Sequence, residues 1–158
     1  MSDEPYTGPF AFIRNRKVPI MNANGGSDCV CVQRVVISNA QLRSTTPVQL
    51  IPAMGPNTYT ALQHVTGMTV VPTAQPFVGT PVIQIGPNAT ILVTTAAMST
   101  MLDDAGSRMI TMPISNSVLN STSVNSPINF SLSAGLTGNA SNNNYVILYL
   151  TYVVMATV

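Results

Sequence analysis

The chain has 158 residues, enough for one domain with a core of its own. Charged residues make up 7% of it, where about 25% is usual, while the apolar share of 46% is ordinary. A formal net charge of +1 gives no field that would steer the protein toward nucleic acid, and the missing charge is replaced by neutral polar side chains that do little to resist association.

The few charges are unevenly placed. Asp3, Glu4, Arg14, Arg16, Lys17, Asp28, Arg34 and Arg43 lie in the first part of the chain. From Ser44 to Leu102 the only titratable base is His64, and after Asp103, Asp104 and Arg108 no charged side chain follows. Residues 1–27 carry Pro5, Pro9, Pro19 and the run "NANGG", without steady periodicity, and read as an extended N-terminal arm with a hinge at Gly25-Gly26. The opening "MSDEPYTGPF" is acidic and has no apolar h-region, so it does not read as a signal peptide. In the arm, Phe10, Phe12 and Ile13 are candidate apolar anchors. Arg14, Arg16 and Lys17 would address an acidic protein surface. Three cations are too few for firm binding to a nucleic-acid backbone.

Residues 28–158 read as a string of short strands separated by Pro, Gly and Asn. "CVCVQRVVIS" is Val-rich and β-branched. In "TPVQLIPA", Val48, Leu50 and Pro52 alternate with Gln49 and Ile51. "YTALQHVTGMTVV" carries Gly67, where a bulge or bend would fit. "TPVIQIG", "ATILVTT" and "SRMITMPI" continue the series. In "INFSLS", Ile128, Phe130 and Leu132 should face inward and Asn129, Ser131 and Ser133 outward. The stretch "AAMSTMLDDAG" is the one credible helix, a turn or two closed by Gly106.

The last strand, from Tyr145, has two faces. Val146, Leu148, Leu150, Tyr152 and Val154 form an aliphatic side that should line the core. Tyr145, Ile147, Tyr149 and Thr151 form a second face, more apolar than a solvated one. Such a strand lies in the middle of the fold or against a neighbouring subunit, so these four are the candidate self-association residues. Eight strands with long crossing connections predict an all-β, eight-stranded jelly-roll-like β-sandwich with at most one short helix.

The chain offers little for catalysis. His64 has no carboxylate near it in sequence, no G-x-S-x-G elbow occurs, and Asp103-Asp104 reads as a helix-end or loop pair. Cys29 and Cys31, as C-x-C in a strand, are too far apart for a disulfide and read as small buried side chains. "GLTGNASNNN" leads into a strand and has no Lys, so it is a turn and not a phosphate loop. The expectation is no enzyme, no cofactor and no metal. Four N-x-[ST] sequons, starting at Asn88, Asn120, Asn129 and Asn139, are given no role.

From Val35 onward the layout "VVISNAQLRSTTPVQLIPAMGPNTYTALQHV", "TTAAMSTMLDDAGSR", "SPINFSLSAGLTGN" and "YVILYLTYVV" resembles jelly-roll cement or decoration proteins of tailed-bacteriophage heads. The arm is not part of that layout. The resemblance implies a structural virion protein, made in the host cytoplasm and placed on the outside of a phage head. It would be a homotrimer clamping subunits of the major capsid protein, with no nucleic-acid or membrane partner. The alternative is a receptor- or glycan-binding module of a tail spike or fibre.

Overall fold

The structure, a computed structural model, describes residues 16–21, 27–87, 93–94, 106–114 and 124–156. Eleven strands and one helical turn fall within them: β1 (Arg16–Met21), β2 (Ser27–Ile37), α1 (Asn39–Leu42), β3 (Val48–Ile51), β4 (Thr58–Val70), β5 (Phe77–Val78), β6 (Ile83–Pro87), β7 (Val93–Thr94), β8 (Arg108–Met112), β9 (Ile128–Leu132), β10 (Thr137–Gly138) and β11 (Tyr145–Ala156).

They form a five-stranded sheet in the order β1-β2-β11-β4-β8, a four-stranded sheet in the order β3-β9-β6-β7, and a small ribbon of β5 and β10. All pairings are antiparallel. If β1 and the ribbon are set aside, eight strands remain and they pair as a nested series. The first pairs with the last (β2 with β11), then β3 with β9, β4 with β8 and β6 with β7. This is one long hairpin. Rolling it up adds the contacts of β11 with β4 and of β9 with β6. The result is the two-layer jelly roll, an all-β sandwich as the strand pattern predicts.

Alternation explains why these segments are strands. In β9, Ile128, Phe130 and Leu132 are buried and the residues between them are not. In β11, Val146, Leu148, Leu150 and Tyr152 are buried on the inner side. These side chains join Ile37, Leu62, Val65, Ile83 and Ile85 in one cluster between the two sheets. Truncating a fully buried member such as Phe130 to Ala would cost about 3–5 kcal/mol.

Four features differ from the sequence reading. The bulge in β4 is at Gln63, not Gly67: Thr151 pairs with His64 and Tyr152 with Leu62, leaving Gln63 as the extra residue. It lets Leu62 and Val65, three positions apart, both point into the core. Gly67 stays in register, opposite Leu148 and Ile110. β3 does not alternate cleanly either, because a register shift between Gln49 and Ile51 buries Leu50 and Ile51 together. The described helical turn is Asn39–Leu42, where Ser38 and Gln41 make a reciprocal capping box. The helix expected at "AAMSTMLDDAG" falls on residues 96–106, of which only Gly106 is described. Finally, Arg16–Met21, within the expected arm, is a strand paired with β2, so Ser27 at the arm's end already pairs with Met21.

Candidate functional site

The outer face of the five-stranded sheet carries the candidate self-association residues. β11 lies in its centre, between β2 and β4. On the outward side, register sets Val36 opposite Ile147, Ile147 opposite Met68, and Met68 opposite Met109. This is an apolar row across four strands. Ile147 is almost covered by its neighbours, whereas Val36 is 43% and Met109 70% exposed. The next row holds Arg34, Tyr149, Thr66 and Thr111. Tyr145, Tyr149 and Thr151 are half-buried on this face. Of the two readings for a strand apolar on both sides, β11 meets the first by its central position, and its outer face remains at the surface.

His64 is also on this face. Its Nε2 lies 2.8 Å from Thr66 Oγ1, one strand repeat away, and the ring is exposed. Its nearest pairing partner across the ladder is Thr151. Cys31 is a buried thiol outside any disulfide, on the inner side, opposite Tyr152. Burial pushes the Tyr152 phenol up to about 12, and the neighbouring Cys31 adds to it through charge repulsion and a hydrogen bond. The side chain of Cys29 lies outside the described ones.

The end of the sandwich holds a polar cluster that sequence reasoning missed. Three connections meet there: β2 to β3, β4 to β6, and β9 to β11. Asn39 Nδ2 donates to Asn139 Oδ1 (2.8 Å) and to the Asn144 carbonyl (3.2 Å). Arg43 Nε donates to Asn39 Oδ1 (2.8 Å), and its Nη2 reaches the carbonyls of Gly138 and Asn139. Asn139 Nδ2 donates to the Gln75 carbonyl (3.1 Å), and its Oδ1 accepts from the Asn144 amide (3.0 Å). Asn144 Nδ2 donates to the same Gln75 carbonyl (2.6 Å). The Leu136 amide also donates to the Leu42 carbonyl (3.0 Å). Asn139 and Asn144 are almost wholly buried. The Asn-rich turn is thus a clamp on three loops, and Arg43 is its central cation. Nothing in a lone Asn marks such a role in sequence, because the partners that join different loops are 64 to 105 positions apart.

Beside the clamp, a depression of about 410 Å³ is lined by Ala40, Gln41, Ser44, Thr46, Pro47, Val48 and Gln49. Its walls offer hydroxyls and amides without charge. Among the described residues no group of three or more His, Cys, Asp or Glu could hold a metal ion. No described helix is long and apolar enough to cross a membrane. Phe10, Phe12, Ile13 and Arg14 lie outside the described residues. So do Asp103 and Asp104. Arg16 and Lys17 open β1, opposite Val32 and Cys31, and their side chains are not described.

No protein-family model and no curated protein matches this chain. Among solved structures, the cryo-EM structure of Mud crab tombus-like virus is similar at 9% identity and a TM-score of 0.34, over 100% of this chain and 92% of that one. A likeness of that size assigns neither a family nor a function.

Proposed function

We propose that this protein is a structural virion protein, a cement or decoration protein on the outside of a phage head that stabilises contacts between major capsid subunits and also packs against copies of itself. The observation that carries the reading is a two-layer β-sandwich whose larger outer sheet face carries an apolar row among neutral polar side chains, with Arg34 the one charged side chain described there. Double-sheet jelly rolls serve as viral capsid domains, lectins and cupins, so the architecture alone does not choose among them. The surface does. A protein working as a free monomer needs charge to keep its copies apart, and this chain has no charged residue from Ser44 to Leu102. The arm residues Phe10, Phe12, Ile13, Arg14, Arg16 and Lys17 supply the capsid contact in this reading, with the apolar side chains as anchors and the cations giving orientation.

The test is location. Purified particles of the parent virus, imaged by cryo-electron microscopy with and without this protein, should show density on the head surface that is lost in the deletion. Deleted heads should release their genome at lower temperature. Density on a tail spike or fibre, or none on the particle, would overturn the proposal.

The depression beside α1 favours a second reading, a glycan- or receptor-binding module, because Gln41, Ser44, Thr46 and Gln49 present neutral hydrogen-bonding groups. Its lining has no aromatic ring on which a sugar could stack. A glycan array gives the direct comparison: saturable binding that is lost in Gln49→Ala would favour this reading over the first.

A further inference from the structure

We propose that the outer face of the five-stranded sheet is the surface through which two copies of this chain pair, sheet against sheet, about a two-fold axis running along the Val36–Ile147–Met68–Met109 row. This deepens the self-packing part of the proposed function and does not depend on where the protein sits on a particle.

The row is apolar on all four strands, and its two ends, Val36 and Met109, are the exposed ones. Met155, at the far end of β11, extends the exposed apolar surface along the strand. Around the row lie Tyr, Thr and Val side chains and His64. Among the side chains described on this face Arg34 is the one that carries a charge; Arg16, opposite Val32, and Asp28 hold positions of the same register at the β1–β2 edge. No described carboxylate stands beside it to attract a basic partner, and one cation is too little to hold an acidic one. An identical face matches this surface: apolar row on apolar row, with neutral hydroxyls around it.

Sheets that pack face to face need similar twist, and their strands then cross at about 30°. Two copies of one sheet have the same twist by construction. Arg34 is two residues from Val36, which displaces it by about 7 Å along the strand. An axis along the row carries the two copies of Arg34 to opposite sides of it, about 14 Å apart along the strands, beyond the screening distance of about 8–10 Å at ordinary salt.

β11 from Tyr145 to Met155 runs about 34 Å, and four strands span about 15–19 Å. Because β8 is only five residues long, the face offers about 500 Å² per copy, or about 1,000 Å² for a pair, in the range of weak, transient interfaces. That size fits a pair that forms reversibly and separates on dilution.

The experiment is sedimentation equilibrium of the purified full chain over a wide concentration range, repeated for Val36→Glu and Met109→Glu. Both side chains are exposed, so the substitutions should leave the circular dichroism spectrum and the melting temperature unchanged. The wild type should be a dimer that dissociates on dilution. Each variant should weaken the pairing at least about tenfold, since two carboxylates would face each other across the axis. A wild type that stays monomeric throughout would overturn the proposal. So would a folded Met109→Glu variant that associates as the wild type does. Removal of residues 1–15 should leave the dimer intact. If the truncated chain dimerises and the full chain does not, the arm and not a second copy occupies the face, and the proposal fails. None of these outcomes bears on whether the protein is found on a phage head.

Discussion

Asn139 is where single-residue chemistry matters most. It is 3% exposed, adopts a left-handed backbone at φ 44°, and uses both ends of its amide to tie three loops. Asn tolerates that backbone better than other residues with a Cβ. Asn139→Ala should lose about 2–4 kcal/mol, because it takes the acceptor from the buried Asn144 N–H and one of two partners from both the Gln75 carbonyl and the Asn39 amide. Urea denaturation measures this directly. Ala74 gives the opposite case. It sits at φ 52° without a side chain that bonds locally, and it is exposed. Ala74→Gly should therefore be neutral or stabilising by about 0.5–1 kcal/mol, relief of strain exceeding the added chain entropy. Gly135 has to be Gly for another reason: a Cβ there would overlap the carbonyl oxygen of Arg43. Tyr152 sets a pH dependence. Its folded pKa of about 12 lies above the ordinary 10.0. The neutral phenol is thus favoured in the folded state, and that contribution is complete below pH 10. Above it the unfolded chain loses its proton first, and stability falls until the folded phenol also ionises, near pH 12. Tyr152→Phe should flatten the stability profile in this window while costing about 0.5–1.5 kcal/mol at neutral pH through the lost Cys31 hydrogen bond.

Among the elements, β4 makes the sharpest prediction. Its inward residues are Leu62 on one side of the bulge and Val65, Gly67 and Thr69 on the other. Side chains alternate with a period of two, so this set fits the core only because Gln63 is an extra residue. Deleting Gln63 would join two stretches already in matching register with β11. The shortened chain should fold, with a chemical-shift change confined to the bulge. Deleting Thr66 removes one residue from a regular stretch, and half of β4 would turn its core side chains to water. That variant should not give a cooperative unfolding transition. The contrast between two one-residue deletions three positions apart is a direct measure of the bulge's role.

The assembled molecule is held together, and offered to partners, with few charges. Association through the outer sheet face should therefore respond to salt in an unusual direction. Raising sodium chloride from 0.05 to 1 M should leave the dimer intact, because the Val36–Ile147–Met68–Met109 row that makes the contact carries no charge to be screened. Ammonium sulfate should tighten it, since excluded salts favour apolar burial. An interface held by ion pairs would weaken under the first treatment. Sedimentation at the two salt concentrations separates the cases.

How much of this was readable before folding depends on the range of the interaction. β9 and β11 were legible because alternation is local: each residue's face follows from its neighbours two positions away, and "INFSLS" and "YVILYLTYVV" state it without a break. The candidate face of β11 was legible for the same reason, as Tyr145, Ile147, Tyr149 and Thr151. The one-turn helix Asn39–Leu42 and its cap Ser38 carried the capping signature S-x-x-Q, but four residues are too few to show a helical period. The bulges at Gln63 and near Leu50 were not legible, because an extra residue is extra only relative to the partner strand. The Asn39–Asn139–Asn144 clamp was invisible for a related reason: an Asn in a turn and an Asn in a buried network are the same letter. The composition said that the surface is neutral and the pattern said that it is β. The nested pairing of β2 with β11 and of β3 with β9 then brought Val36, Met68 and Met109 beside Ile147. Strand order is set by contacts between distant segments, and no local pattern encodes which strand will be the neighbour.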